Sequence, residues 1–322
     1  MHIESRQGRT TASVDVMSEF FAILLGISVL AFPISSMLAI GLTYTLKQIT
    51  GPLRHANRVF RALVVNFVLV PLLAVGIARL LSLDPGLAAG VILVGTAAGA
   101  PFLIKLTQAA SADTGLSATL LVLLMPLTAL YMPLVVPLLV EDASVSAVAI
   151  AVPLLLTLIV PLVVGLVVDS ALPRLAKRLR PVAVSTSSIA LLVLIASTLV
   201  LNGPRFLNLL GTGAITAVVL LTLSAFGVGY LISGAGFNRR AVMGLGAGQR
   251  NIAAALVVAS DFGDPDTLVM VVLFSVVDLA VLFPIALALR RSSGRPPTPP
   301  APEGHALHRH GSLEEHHWGA PS

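Results

Sequence analysis

The chain contains no cysteine, which excludes disulfides, thiolate metal sites and a cysteine nucleophile. Aromatic residues are scarce, with one tryptophan and three tyrosines, so there is no stacking platform to suggest a ring-bearing ligand. The largest deficit is in charge. Only 11% of residues are Asp, Glu, Lys or Arg, where soluble domains carry roughly a quarter. So little charge cannot cover a globular surface in water, and the chain must be solvated by lipid.

Of the 322 residues, 56% are hydrophobic and the mean hydropathy is +0.96. Apolar runs longer than the roughly 20 residues that span a bilayer recur along nearly the whole chain. They are rich in Leu, Val, Ala and Gly, whereas barrel strands would be shorter and alternate in polarity. The fold class expected is an all-α polytopic membrane protein. Nine hydrophobic segments are predicted near 18–46, 60–82, 86–110 (broken), 114–140, 145–168, 181–201, 211–234, 240–261 (broken) and 265–289. Residues 1–17 read as a polar tail with no cleavable signal peptide. Residues 18–140 and 145–290 read as two halves, and 291–322 as a disordered tail rich in Pro, Gly and His. The net charge of +5 does not imply nucleic acid, because the basic residues sit in short loops where they set topology.

The loop charges orient the chain. Lys47, Arg54, Arg58 and Arg61 follow the first segment; Arg174, Lys177, Arg178 and Arg180 follow the fifth. Arg239 and Arg240 precede the eighth, and Arg290, Arg291, Arg295 and Arg309 follow the last. Nine crossings put all of these on one side. The opposite loops hold Asp84, Glu141, Asp142, Asp261, Asp264 and Asp266, with Arg79 and Arg205 as their bases. The expectation is an inner-membrane protein with its N-terminus outside and its C-terminus in the cytoplasm.

The two halves echo one another. RALVVNFVLVPLLAVGIA followed by AAGVILVGTAAGAPFL is matched by AITAVVLLTLSAFGVGYLIS followed by AVMGLGAGQRNIAAAL. In each, a plain span precedes one interrupted by small residues, at Gly95–Pro101 and Gly244–Gln249. Glycine and proline free backbone N–H and C=O groups there, which lipid tolerates only where they face protein or a water-filled cavity. Paired interruptions point to a transporter binding site at the midplane. Gly-rich faces that merely allow close packing are the competing explanation.

On these residues the chain resembles the bile acid:sodium symporter family. PISSMLAIGLTYTLKQI is similar to the family's segment ending in a GMGLTL-like run. NFVLVPLLA is similar to its QFxIMPxxA pattern, placing Asn66 where glutamine is common. LAAGVILVGTAAGAP and AGQRNIAAALVVA resemble its two crossover helices. The resemblance implies two inverted repeats forming a core and a panel domain, with one N-terminal helix missing. The broken third and eighth spans would cross in the core, and the first, fifth and sixth would make the panel. The departures are specific. The family's sodium sites use a glutamate before the second crossover's glutamine, yet no acidic residue occurs between Asp169 and Asp261. Ala100 and Pro101 stand where the first crossover carries asparagine, and the cysteine of the arsenite-carrier branch is absent.

A charge at the bilayer centre costs roughly 2.5–3.5 kcal/mol even on a lenient scale, so each needs a reason. Lys105 follows Pro101, Arg250 sits at the second break, and Asp278 lies deep in LFSVVDLAVLFP. Lys105 and Arg250 are expected to occupy the volume where relatives bind sodium, with Asp278 as counter-charge to one of them. Snorkelling of Lys105 to the interface is the alternative. For Asp278 the alternatives are a structural partner and a titrating coupling group. Asn66, Gln249 and Asn251 are neutral hydrogen-bonding candidates. Thr96 and Ser117 either line the cavity or bond their own helix. Asp113 reads as a helix cap.

The function expected is secondary transport of a small organic, anionic solute by alternating access, without two-sodium coupling. Coupling to a proton, exchange and facilitated diffusion stay open. Sodium-dependent symport of bile-acid type and a non-transporting receptor or scaffold on the same fold are the alternatives. No enzyme, cofactor, resident metal or nucleic-acid partner is expected. Asp278 is the lone deep carboxylate, all seven histidines lie in tails or a loop, and no phosphate loop is present.

Overall fold

A chain in lipid must satisfy its backbone amides internally, and every long apolar run here does so as helix. The computed structural model describes residues 4–45, 56–140, 147–209 and 211–293. Among these residues there is no strand, and eight helices are long and apolar enough to cross a membrane. The protein is an all-α polytopic membrane protein.

The first helix, α1, runs Glu4–Gly41, and its apolar span begins at Met17. The segment read as a polar tail is therefore helical from Glu4 and continuous with the first span. Next come α2 (Ala56–Leu80), the short α3 (Pro85–Thr96) and α4 (Leu103–Ala109), and then α5 (Thr114–Leu139). The second half holds α6 (Ala147–Ala171), α7 (Pro173–Asn208), α8 (Ala214–Ile232), α9 (Phe237–Gly248), α10 (Ile252–Asp261) and α11 (Pro265–Ser293). The α3/α4 and α9/α10 pairs are the two interrupted segments. Helix α7 starts at Pro173, eight residues before the predicted 181, because the basic cluster Arg174–Arg180 forms its first turns. Lys47, Arg54, Glu141, Asp142, Arg295, Arg309 and the His-rich tail lie outside the described residues.

Helices α1, α6 and α7 pack on one another, as the family resemblance implies for a panel. Helices α3, α4 and α9 are enclosed by α2, α5, α8 and α11, and α10 packs on α3 and α11 and against α1 and α6. Burial separates the two groups. In the span formed by α9 and α10, 94% of the apolar window is buried, against 22% in α7, so the interrupted segment is central and α7 is peripheral. Phe20, Ile23, Ile27 and Leu30 are exposed at helical spacing along α1, the signature of a lipid-facing stripe.

Two prolines alter the helical register. Proline has no N–H to give the carbonyl four residues earlier, and a π-helical turn precedes each: Val65–Leu69 before Pro71, and Leu155–Ile159 before Pro161. At the first, Val70 N–H donates to Val65 O instead of Asn66 O, which leaves the Asn66 carbonyl without its helical donor.

Helices α1 and α6 touch backbone to backbone. A Cβ on Gly165 would stand 2.7 Å from Leu38 O and 2.8 Å from Gly41 Cα. Gly165→Leu should force the pair apart and cost roughly 1–3 kcal/mol, seen as a lower thermal midpoint in detergent. Gly76→Leu, whose Cβ meets nothing within 4 Å, should leave the midpoint unchanged or raise it, since leucine favours helix over glycine.

Candidate functional site

The site is built from the ends of four half-helices. Helix α3 stops at Thr96; Ala97 is extended (φ −87, ψ 93) and Gly99 takes φ +79. A side chain at 99 would also meet Leu124 Cβ and Met125 N at 2.9 Å, so glycine is required twice over. Pro101 lies in the turn that leads to α4. Helix α9 stops at Gly248, Gln249 is extended (φ −77, ψ 117), and Asn251 caps α10 by accepting the Ala254 N–H on Oδ1 at 3.1 Å.

The two interruptions touch. Asn251 N–H donates to Ala97 O at 2.9 Å. Helix α5 secures the first break, where the Thr128 hydroxyl donates to Ala98 O at 2.9 Å and accepts the Ala98 N–H at 3.0 Å. Breaking two helices therefore leaves few amides unmet, because each exposed strand of backbone finds the other or a hydroxyl.

Arg250 fills the centre and is 0% exposed. A guanidinium has five N–H donors and no acceptor, and here all five reach neutral oxygens. Nε donates to Val94 O at 3.2 Å. Nη1 donates to Asn66 Oδ1 at 3.0 Å and Ala247 O at 3.3 Å. Nη2 donates to Gly95 O at 2.6 Å and Asn66 O at 3.5 Å. Each acceptor is available for a local reason. Val94 and Gly95 are in the last turn of α3, and Ala247 is in the last turn of α9. The Asn251 amide that would have served Ala247 O goes to Ala97 instead. Asn66 O is released by the π turn. Carbonyls at helix C-termini carry partial negative charge, so the cation sits where two helix dipoles end.

Asn66 is itself fully buried and braced, its Nδ2 donating to Ala62 O at 3.0 Å. Pro71 leaves Phe67 O without a donor, and the Tyr131 hydroxyl supplies one at 2.6 Å. Thr128 and Tyr131, one turn apart on α5, were not among the residues singled out from sequence. The available signal was Pro71, whose missing N–H demands an outside donor four residues earlier.

Behind Arg250 lies a second polar group. Gln249 Nε2 donates to Asp278 Oδ2 at 3.3 Å. Asp278 is 0% exposed. Asp278 Oδ1, Gln249 Oε1 and Asn251 Nδ2 are buried without a hydrogen-bond partner.

The expected ion pairing does not form. Asp278 meets the Gln249 side chain and the Arg250 backbone amide, not the Lys105 ammonium or the Arg250 guanidinium, because the guanidinium donors are already taken by oxygens freed at the breaks. Lys105 is exposed, with Nζ 5.4 Å from the Phe102 ring centroid, so the structure does not bring it to the crossing. Thr96 Oγ1 donates to Leu93 O of its own helix at 2.8 Å. Ser117 bonds Thr114 O and the Thr107 hydroxyl. Asp113 caps α5, accepting the Leu116 N–H at 3.0 Å.

Arg250→Met should be strongly destabilising, by roughly 1–3 kcal/mol for each oxygen left unmet, because it strands Asn66 and three carbonyls in the interior. Thr128→Val removes both bonds at Ala98 and should cost about 1–3 kcal/mol. Lys105→Gln should have little effect. Thermal unfolding of the three variants in detergent checks the ranking.

No curated protein matches this chain. The model of the Sodium Bile acid symporter family matches residues 31–209, more than half of the sequence. The matched region includes the first interruption and ends before the second. The chain belongs to the sodium bile acid symporter family.

Proposed function

We propose that this protein is a sodium-independent secondary carrier for a small organic anion. The supporting observation is the fixed guanidinium of Arg250 at the contact of two interrupted helices, bonded to five neutral oxygens. A sodium ion in such a place is held by carbonyl and side-chain oxygens. Arg250 offers those oxygens a positive charge that never leaves. The family's acidic sodium ligand is also missing from the stretch between Asp169 and Asp261.

The remaining steps follow from that substitution. Among the described residues no carboxylate is bonded to the Arg250 guanidinium, so it lends the midplane a positive field that favours an anionic solute. Asn66, Gln249 and Asn251 supply neutral donors and acceptors near it, while Thr96 and Pro101 shape the first break. Movement of the α1/α6/α7 group against the enclosed core would open the site to each side in turn. Asp278, buried and free of any ion pair, is the group at which a proton can be taken up and released as the protein cycles. In this reading the protein lies in the inner membrane, N-terminus outside, with two inverted repeats making core and panel. Lys105 has no part in the site.

Sodium-dependent symport of bile-acid type is the second reading, favoured by the unpartnered oxygens Asp278 Oδ1 and Gln249 Oε1. Titrating sodium against potassium at constant ionic strength separates the two. The carrier proposed here should show no sodium-specific rise in thermal stability, whereas a saturable rise would establish sodium binding and overturn it. Uptake of labelled small carboxylates into proteoliposomes should follow an imposed pH gradient and lose that dependence in Asp278→Asn. An absence of carboxylate flux would favour a receptor or scaffold instead.

A further inference from the structure

Away from the crossing, three helices leave a small, open-sided cleft of about 90 Å³. Its lining has helical spacing on every side. Arg58 and Arg61 are one turn apart on α2. Arg239, Val242 and Met243 share a face of α9, and Leu116, Leu120 and Leu123 form a stripe on α5. Arg58, Arg61 and Arg239 also line the pocket adjoining one end, and the leucines make the other an aliphatic wall. No carboxylate is among its lining residues.

The arginines are not alike. Arg61 is braced, with Nε donating to Asn57 Oδ1 at 3.2 Å and Nη1 to Ile232 O at 3.4 Å. Arg58 and Arg239 are exposed and make no hydrogen bond or ion pair among the described residues. Three cations converging without a counter-charge repel one another, and an anion between them relieves that repulsion. The cleft also sits where α2 meets the apolar belt: Phe60, between Arg58 and Arg61 in sequence, is 65% exposed, and Val68 and Leu72 continue the outward face.

We propose that this cleft binds an anionic phospholipid of the adjoining leaflet. Its phosphate is held between Arg58, Arg61 and Arg239, and the start of an acyl chain lies on the Leu116–Leu120–Leu123 stripe. Basic pockets between membrane helices take such headgroups by the same charge complementarity. The aliphatic wall is what distinguishes a lipid from a free phosphate, which has nothing to place there. The site is separate from the Arg250 crossing and does not depend on what is transported.

The test uses the full chain purified in detergent, offered an equimolar mixture of phosphatidylglycerol and phosphatidylcholine with identical acyl chains. Native mass spectrometry should show phosphatidylglycerol retained in preference. The Arg58→Gln/Arg239→Gln double variant should lose that preference by roughly tenfold or more. Because neither side chain is bonded, the variant strands no partner. Thr119→Trp, which fills the cleft without changing charge, should also lose the lipid. Arg240→Gln should keep it, since Arg240 lies outside the lining, on Gly234 O and the Tyr230 ring. Equal loss in Arg240→Gln would show diffuse surface charge and overturn the site. Stabilisation by inorganic phosphate with no preference between the lipids would overturn the lipid assignment.

Discussion

The organisation of this protein depends on one buried cation satisfying the ends of two interrupted helices. A broken helix in lipid exposes carbonyls that no solvent can reach, and each unmet group is costly. Arg250 meets that demand for α2, α3 and α9 together, so three elements are fixed relative to one another by a single planar group. Lysine could not do the same, having three donors on a point charge instead of five in a fixed fork. The remaining backbone is covered by the Asn251–Ala97 contact and by Thr128.

The surrounding packing serves the crossing. The π turn in α2 that Pro71 imposes turns the Asn66 carbonyl from a helical acceptor into a ligand for Arg250, while Tyr131 takes the other orphaned carbonyl at Phe67. A sequence irregularity in one span and a hydroxyl in another therefore act on the same few ångströms. Farther out, α1, α6 and α7 pack on one another, closed by the glycine contact of Gly41 with Gly165, and α1 and α6 also meet α10.

Much of the architecture was legible because it rests on local rules. The long apolar helices, the interruptions near 95–101 and 244–249, and the cap at Asp113 all follow from hydropathy, glycine, proline and capping chemistry; the third of the nine expected segments is two short helices, so eight are long enough to cross among the described residues. Family likeness added the grouping of the first, fifth and sixth spans. The charged residues were read less completely. Lys105, Arg250 and Asp278 were all conspicuous as charges in apolar sequence, but conspicuousness does not reveal orientation. Lys105 turns outward over Phe102 because its helix is short and its stem can reach the edge of the protein. Asp278 meets Gln249 because the guanidinium is already saturated. Thr128 and Tyr131 carried no signal of their own, as hydroxyls on apolar helices usually bond their own backbone.

By itself, then, the sequence determined that the chain lives in lipid, where two of its apolar segments break, and that an arginine occupies one break. Those properties depend on composition and on neighbours within a few residues. Only the tertiary structure decided what the arginine touches, that Asp278 does not pair with either cationic side chain, and that arginines of two helices far apart in sequence frame one cleft. Such partners are up to 184 residues apart in the Asn66–Arg250 pair. Which oxygen faces which nitrogen is settled by how helices cross, a relation no local pattern encodes.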